Sequence, residues 1–266
     1  MTISQSKQLT VFAVVLSLAL FGASCGKNEE RRDQDQQQSG QQNQQQQQGR
    51  VSAPDSSETL TLQNLGGIHF AKWQTGAATA GDLRFNKNFY DVKSGHSVPV
   101  FLFGQPLPKD VPMPNPNFEF AGLDKAITLV SAIDGIVAFI QQQSETNDNE
   151  VFLQTKENSV WMIGYDHVTD LQVTKGQTIK AGDVIGKAAV QNNGVYRYEL
   201  QINKEVNGMT TYYCPTDLLA ADVKATTVSA MEQMITDWNT FMGQKVYGQY
   251  TTSCTKPFLT TAEVGN

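Results

Sequence analysis

The sequence predicts a mostly β protein, an antiparallel sheet core with an irregular N-terminal extension and a C-terminal helix. Two patterns carry that expectation. Five short β-branched or aromatic segments, Ile127–Ser131, Gly135–Gln142, Glu150–Gln154, Val160–Tyr165 and Val195–Asn203, are parted by turn residues. The turn chemistry is explicit at Asp134-Gly135, Asn147-Asp148-Asn149, Lys175-Gly176 and Ala181-Gly182-Asp183. Later, Val228, Met231, Ile235, Trp238 and Met242 recur every three or four residues, one apolar face of a helix.

Taken from the N-terminus, residues 1–24 form a secretion leader. Lys7 gives a weakly positive start and Val11–Phe21 an apolar stretch too short to span a membrane. The stretch runs into Gly22-Ala23-Ser24-Cys25, which resembles the bacterial lipobox, although Gly22 stands where that motif usually has Leu. The resemblance implies acylation of Cys25, and Gly26 after it implies sorting to the outer membrane, facing the periplasm; a plain signal peptide cleaved near Ala23 is the alternative.

Residues 25–58 follow as a Gln-rich disordered tether, too poor in apolar groups to offset the entropy of ordering. A coil of this length averages ~30 Å end to end. Beyond the leader no apolar run is long enough to cross a bilayer. The chain carries a formal charge of −6, of which −5 falls after residue 58, so phosphate backbones are not drawn in and nucleic acid is excluded as a partner.

Residues 59–117 lack clear periodicity and read as an irregular extension packed on the core, with short strand candidates at Thr59–Leu62 and Val98–Phe103. In an oxidising compartment the two remaining thiols, Cys214 and Cys254, most simply pair as a disulfide; two free buried thiols are the alternative.

A family resemblance enters at residues 173–186, Val-Thr-Lys-Gly-Gln-Thr-Ile-Lys-Ala-Gly-Asp-Val-Ile-Gly. This paired-glycine hairpin is similar to those of lysostaphin/LytM-type zinc endopeptidases and of biotinyl/lipoyl carriers, but no lysine sits in the setting a carrier needs. The surroundings match the peptidases: Ser131–Val137 resembles A-x-x-D-G-x-V, Tyr165-Asp166-His167 matches Y-x-H, Tyr196-Arg197-Tyr198-Glu199 falls at H-L-H-F/E, and Pro215 with Leu218–Leu219 resembles P-x-x-L. The resemblance covers about 118–220 and implies a LytM-like β domain there, with 221–266 as helix and tail.

It also implies a peptidoglycan endopeptidase whose zinc needs three protein ligands and an open position for water. Those ligand positions fall on Phe120, Asp124 and Tyr198, and the catalytic histidine positions on His167 and Tyr196. A phenyl ring has no lone pair, and a tyrosine of pKa about 10 is protonated at neutral pH. No cofactor is therefore expected. Each residue also has a plain structural reading: strict alternation sets Tyr196, Tyr198, Leu200 and Ile202 on one face of Val195–Asn203 and Arg197, Glu199 and Gln201 on the other. The acidic stretch Glu145–Glu150 lacks a calcium-loop pattern and reads as a solvated turn.

The leading expectation is an envelope lipoprotein with a catalytically degenerate LytM-like domain, whose groove of Phe120, Tyr196 and Tyr198 binds peptidoglycan or engages a cell-wall hydrolase. The alternatives are an active zinc hydrolase that assembles its metal from Asp124, His167 and a loop histidine, His69 or His96, and a structural envelope protein.

Overall fold

Short connections between β-branched runs favour strands that pair with their sequence neighbours. The computed structural model describes residues 56–87, 98–106, 113–191, 194–252, 254 and 256–265. The leader, Cys25, nearly all of the Gln-rich segment and His96 lie outside them. The described residues form strands β1 (Thr79–Ala80), β2 (Leu83–Arg84), β3 (Val100–Phe101), β4 (Asn117–Leu123), β5 (Thr128–Val130), β6 (Gly135–Gln143) and β7 (Asp148–Gln154). They continue with β8 (Trp161–Thr169), β9 (Thr178–Ile179), β10 (Val184–Val190), β11 (Tyr196–Val206), β12 (Met209–Tyr213) and β13 (Phe258–Thr260), and with helices α1 (Ala221–Met242) and α2 (Thr261–Val264). The fold is mostly β, as the sequence predicts.

The strand pairings are antiparallel, and the spine of the sheet runs β6–β7–β8–β11–β4. β10 joins β5 to the ends of β8 and β11, and β12 and β13 extend the sheet beyond β11. Alternation gives this spine two distinct faces. Phe118 and Phe120 of β4, Ile163 and Tyr165 of β8, and Tyr198, Leu200 and Ile202 of β11 are buried in the core. Asn117, Glu119, Arg197, Glu199 and Gln201 alternate with them and are only half-buried.

The turn at Asp134-Gly135 depends on a bare Cα. A Cβ at Gly135 would sit 2.0 Å from the Gln154 carbonyl oxygen, while Asp134 Oδ1 accepts the Ala181 N–H at 2.9 Å and ties the paired-glycine hairpin to this corner.

Among its described residues the extension contains little regular structure. Thr59–Leu62 forms no strand: Leu62 makes one isolated parallel bridge to Leu219, and Val98–Phe103 contributes only the two residues of β3. Backbone hydrogen bonds such as Leu62 N–H to the Leu218 carbonyl, at 2.8 Å, fasten it, and side chains add to them. The Trp161 indole N–H donates to the Glu58 carbonyl at 2.8 Å, and Ser159 Oγ donates to the Glu58 carboxylate at 2.8 Å. Trp73 stacks on Phe85 with centroids 5.5 Å apart, and its backbone N–H donates to buried Asp237 of α1 at 2.8 Å.

α1 starts earlier than its apolar stripe, and Met231, Met234 and Trp238 are its buried contacts. It ends where Gly243 takes a left-handed conformation (φ 72°) that a side chain would disfavour, its N–H capping the last carbonyls. Among the described residues no helix is long and apolar enough to cross a membrane. Cys214 and Cys254 are joined by a disulfide, Cα–Cα 6.2 Å, that encloses α1 in its loop.

Candidate functional site

β4 and β11 bring the two aromatic ligand positions together. Phe120 and Tyr198 are directly paired in register, and their rings stack with centroids 4.5 Å apart and planes 15° from parallel. Both are fully buried. The Tyr198 hydroxyl donates to the Leu65 carbonyl at 2.6 Å, so the extension lies over the ring. Gly66 makes this approach possible: its φ of 83° suits glycine, and a Cβ there would come within 2.9 Å of the Tyr198 ring. The groove expected from the sequence is thus corrected in two of its residues. Phe120 and Tyr198 line no surface, because the Leu65–Gly66 backbone fills the space above them; Tyr196 remains half-buried.

The zinc that the resemblance implies finds no suitable donors at these positions. Phe120 offers none. Burial drives the Tyr198 pKa well above its ordinary value, so its phenolate is out of reach. Asp124 Oδ1 accepts from Arg84 Nε at 2.8 Å, so its charge is already paired. His69 is exposed, and its backbone N–H donates to Asp82 at 2.8 Å.

His167 is not beside these residues. β8 carries a bulge opposite β7, where Asn149 pairs with Val168 and Val151 with Tyr165, so that Asp166 and His167 together face Glu150. His167 takes a left-handed backbone, φ 61°, and the period-two alternation breaks. Tyr165 keeps to the core, its hydroxyl accepting the Ala132 N–H at 2.7 Å. The His167 ring turns to the polar face instead. The expected set of Asp124, His167 and a loop histidine is therefore not assembled among the described residues.

On the polar face, His167 Nδ1 lies 2.7 Å from Asp148 Oδ2, with both side chains almost wholly buried. Its Nε2 is 3.5 Å from Asp166 Oδ2 and 3.6 Å from Glu199 Oε1, and it also contacts Arg197 Nη2. Arg197 Nη1 donates to Glu119 at 3.2 Å, and Asn117 Nδ2 donates to Glu199 Oε2 at 2.5 Å. Four strands, β4, β7, β8 and β11, thus converge on one imidazole. This cluster is the candidate site.

Its electrostatics follow from crowded, half-dry carboxylates. Burial, then the charge of Glu199 directly opposite on β11, pushes Glu119 up to about 7. Burial, then Asp166 and Glu199, pushes Glu150 up to about 7. Burial also raises Asp166, against the pull of His167. At His167 burial favours the neutral ring, but the carboxylates of Glu199, Asp166 and Asp148 prevail and hold its pKa above the ordinary value. Glu199 is held low: its burial is outweighed by His167 and Arg197.

A pH prediction follows for chelator-treated protein. A carboxyl whose folded pKa is raised binds its proton more tightly in the native state, so its stabilisation is present below the unfolded value and lost as pH rises through the folded one. Glu119 and Glu150 move from 4.5 to about 7, so unfolding free energy should fall between these pH values. Glu199 acts in the opposite sense but below this window. Urea unfolding should show a midpoint that declines across this window, and Glu119→Gln with Glu150→Gln should flatten the slope.

Only part of this cluster was visible in sequence. The polar face of β11 is plain from alternation, but its partners Glu119, Asp148 and Glu150 come from other strands. Asp148, read within a solvated turn, is instead the buried first residue of β7. A clue did exist: an Asp-His pair at the end of an apolar strand places two polar groups where only one can face outward.

Comparison with known proteins agrees with the motif reading. Residues 121–210 match the model of Peptidase family M23, so the lysostaphin/LytM-type resemblance holds over this segment. Among solved structures, the antimicrobial peptidase lysostaphin from Staphylococcus simulans is 16% identical, aligned over 40% of this chain and 43% of its own, with a TM-score of 0.34. A mutant catalytic domain of the prophage-encoded M23 protein EnpA from Enterococcus faecalis is 15% identical over 44% of this chain and 87% of its own, TM-score 0.35. The SpoIIQ–SpoIIIAH pore forming complex contains a chain 13% identical over 64% of this one and 98% of its own, TM-score 0.39. The chain spans about half the length of lysostaphin. No curated protein matches it.

Proposed function

We propose that this chain is a non-catalytic M23-type protein of the cell envelope, anchored through lipidated Cys25 on a Gln-rich tether, that works by binding a cell-wall hydrolase or peptidoglycan itself. The observation that carries the reading is the Phe120–Tyr198 stack beneath the Leu65–Gly66 backbone, which takes up the volume where the family resemblance puts a metal and its water. Pairing of Asp124 with Arg84 supports it, since a carboxylate already neutralised has little call for a metal ion. Aromatic stacking of a sugar on Phe120 or Tyr198 does not belong to this reading, because neither ring reaches solvent. Binding falls to exposed groups instead, and of the three groove residues only Tyr196 keeps partial exposure.

The test pairs an activity assay with capture. The full chain, with zinc supplied, is expected to release no fragments from purified sacculi, yet to sediment with sacculi or cross-link in cells to a wall hydrolase. Zinc-dependent cleavage of cross-linked wall that Asp124→Ala removes would overturn it. Failure to find either partner would leave only an envelope scaffold, and would equally refute the proposal.

A further inference from the structure

We infer that a cleft beside β10 binds an α-amino acid headgroup, an ammonium and a carboxylate carried on one carbon. The cleft shares no residue with the aromatic pair or with the His167 cluster. The inference goes beyond the proposed function and does not depend on it.

The cleft encloses about 500 Å³, within the range of small-molecule sites. β10 builds one side of it. Lys187 lies opposite Thr128 of β5 and opposite Thr169 at the end of β8. Asp170 then leaves β8 in a left-handed conformation, φ 48°, which aspartate tolerates better than most residues. Its carboxylate turns back to Lys187, with Oδ2 3.0 Å from Nζ. Gln172 pins this turn at two points. Its backbone N–H donates to the Ile185 carbonyl at 2.8 Å, and its side-chain amide donates to the Asp170 carbonyl at 3.0 Å. Leu171 and Val184 supply apolar wall, and Thr128 adds a hydroxyl.

The spacing of the two charges selects the ligand. In an α-amino acid the ammonium and carboxylate sit on the order of 3 Å apart, from ordinary backbone dimensions. That matches the separation of Lys187 Nζ and Asp170 Oδ2. Set side by side, the four charges alternate: the ligand carboxylate meets Lys187 and the Thr128 hydroxyl, and the ligand ammonium meets Asp170. The termini of a dipeptide stand too far apart for this, since each extended residue adds about 3.3–3.6 Å. A ligand of one charge would satisfy one partner and strand the other. Opening the existing pair costs little, because both side chains are about half exposed and such surface pairs contribute roughly 0–1 kcal/mol. Val184, left 44% exposed, gains most from an aliphatic substituent on the ligand.

The experiment follows the Leu171 and Val184 methyl resonances of the full chain while a probe is added. Two probes separate the sources of the headgroup: free leucine, and a peptide whose diaminopimelate side chain ends in the same group. Shifts with leucine make the ligand a free amino acid, and shifts with the peptide alone make it a side-chain end; both support the inference. Isovaleric acid and isoamylamine, each lacking one charge, should bind at least about tenfold more weakly than the probe that binds. Lys187→Met and Asp170→Asn should each weaken binding about tenfold, with circular dichroism unchanged because both side chains are exposed. Neither probe shifting these methyls at millimolar excess would overturn the inference. So would a single-charge analogue that binds equally well, or binding that survives Lys187→Met undiminished.

Discussion

Replacing Tyr198 by alanine is expected to lower the unfolding free energy by about 3–5 kcal/mol, the range for emptying a buried aromatic site. The ring is fully buried, stacked on Phe120 and overlaid by Gly66, so its removal opens a cavity that rigid strands on either side cannot close. The hydroxyl matters separately. Tyr198→Phe leaves the Leu65 carbonyl without its 2.6 Å donor, a loss of about 1–3 kcal/mol, and should loosen the extension before the sheet. Urea unfolding followed by circular dichroism measures the first effect, and hydrogen exchange over residues 62–67 the second. An exposed ligand-binding tyrosine would behave differently, its loss costing about 0.5 kcal/mol or less. An unchanged urea midpoint for Tyr198→Ala would mean that the ring is not part of the core.

Opening the Cys214–Cys254 link should destabilise the protein by about 4 kcal/mol, the chain-entropy figure for a loop of 40 residues. The loop contains α1, whose Trp238 packs against Phe85 at 5.0 Å and whose Asp237 holds Trp73. The helix therefore keeps its own contacts when the link is cut, and the reduced protein should fold in the same form with a lower midpoint. Guanidinium unfolding with and without reductant, compared with a Cys214→Ala and Cys254→Ala double variant, gives the measurement. Coincident curves in oxidant and reductant would show that the crosslink constrains nothing.

Legibility in the sequence followed the physics of each element. Strands β6, β7, β8 and β11 overlap the segments read from β-branched runs and turn residues, because period-two burial is written directly into side-chain order. The pairing of Phe120 with Tyr198 was also within reach, since the motif alignment placed both at one site. β10 was read only as part of a hairpin motif, and β12, with Met209 exposed and two threonines, offers no run of buried residues. His167 could not be placed because a single extra residue in a bulge reverses every later side chain, and nothing in composition announces it. The polar cluster was hidden for a different reason: its members are scattered from Asn117 to Glu199 and meet only through strand pairing.

The fastening of the extension also decides how the domain answers to force. Lys204 Nζ holds the Ser56 carbonyl at 2.8 Å, and next along the chain the Glu58 carboxylate is gripped by Ser159, with Thr155 also in contact. Tension entering from the N-terminal side is met at these bonds first, well before it reaches the backbone lying over Tyr198. A leash attached there can be tugged while the lid over the aromatic pair stays shut, because the load ends on the β7–β8 turn and on the Lys204 end of β11, away from Tyr198.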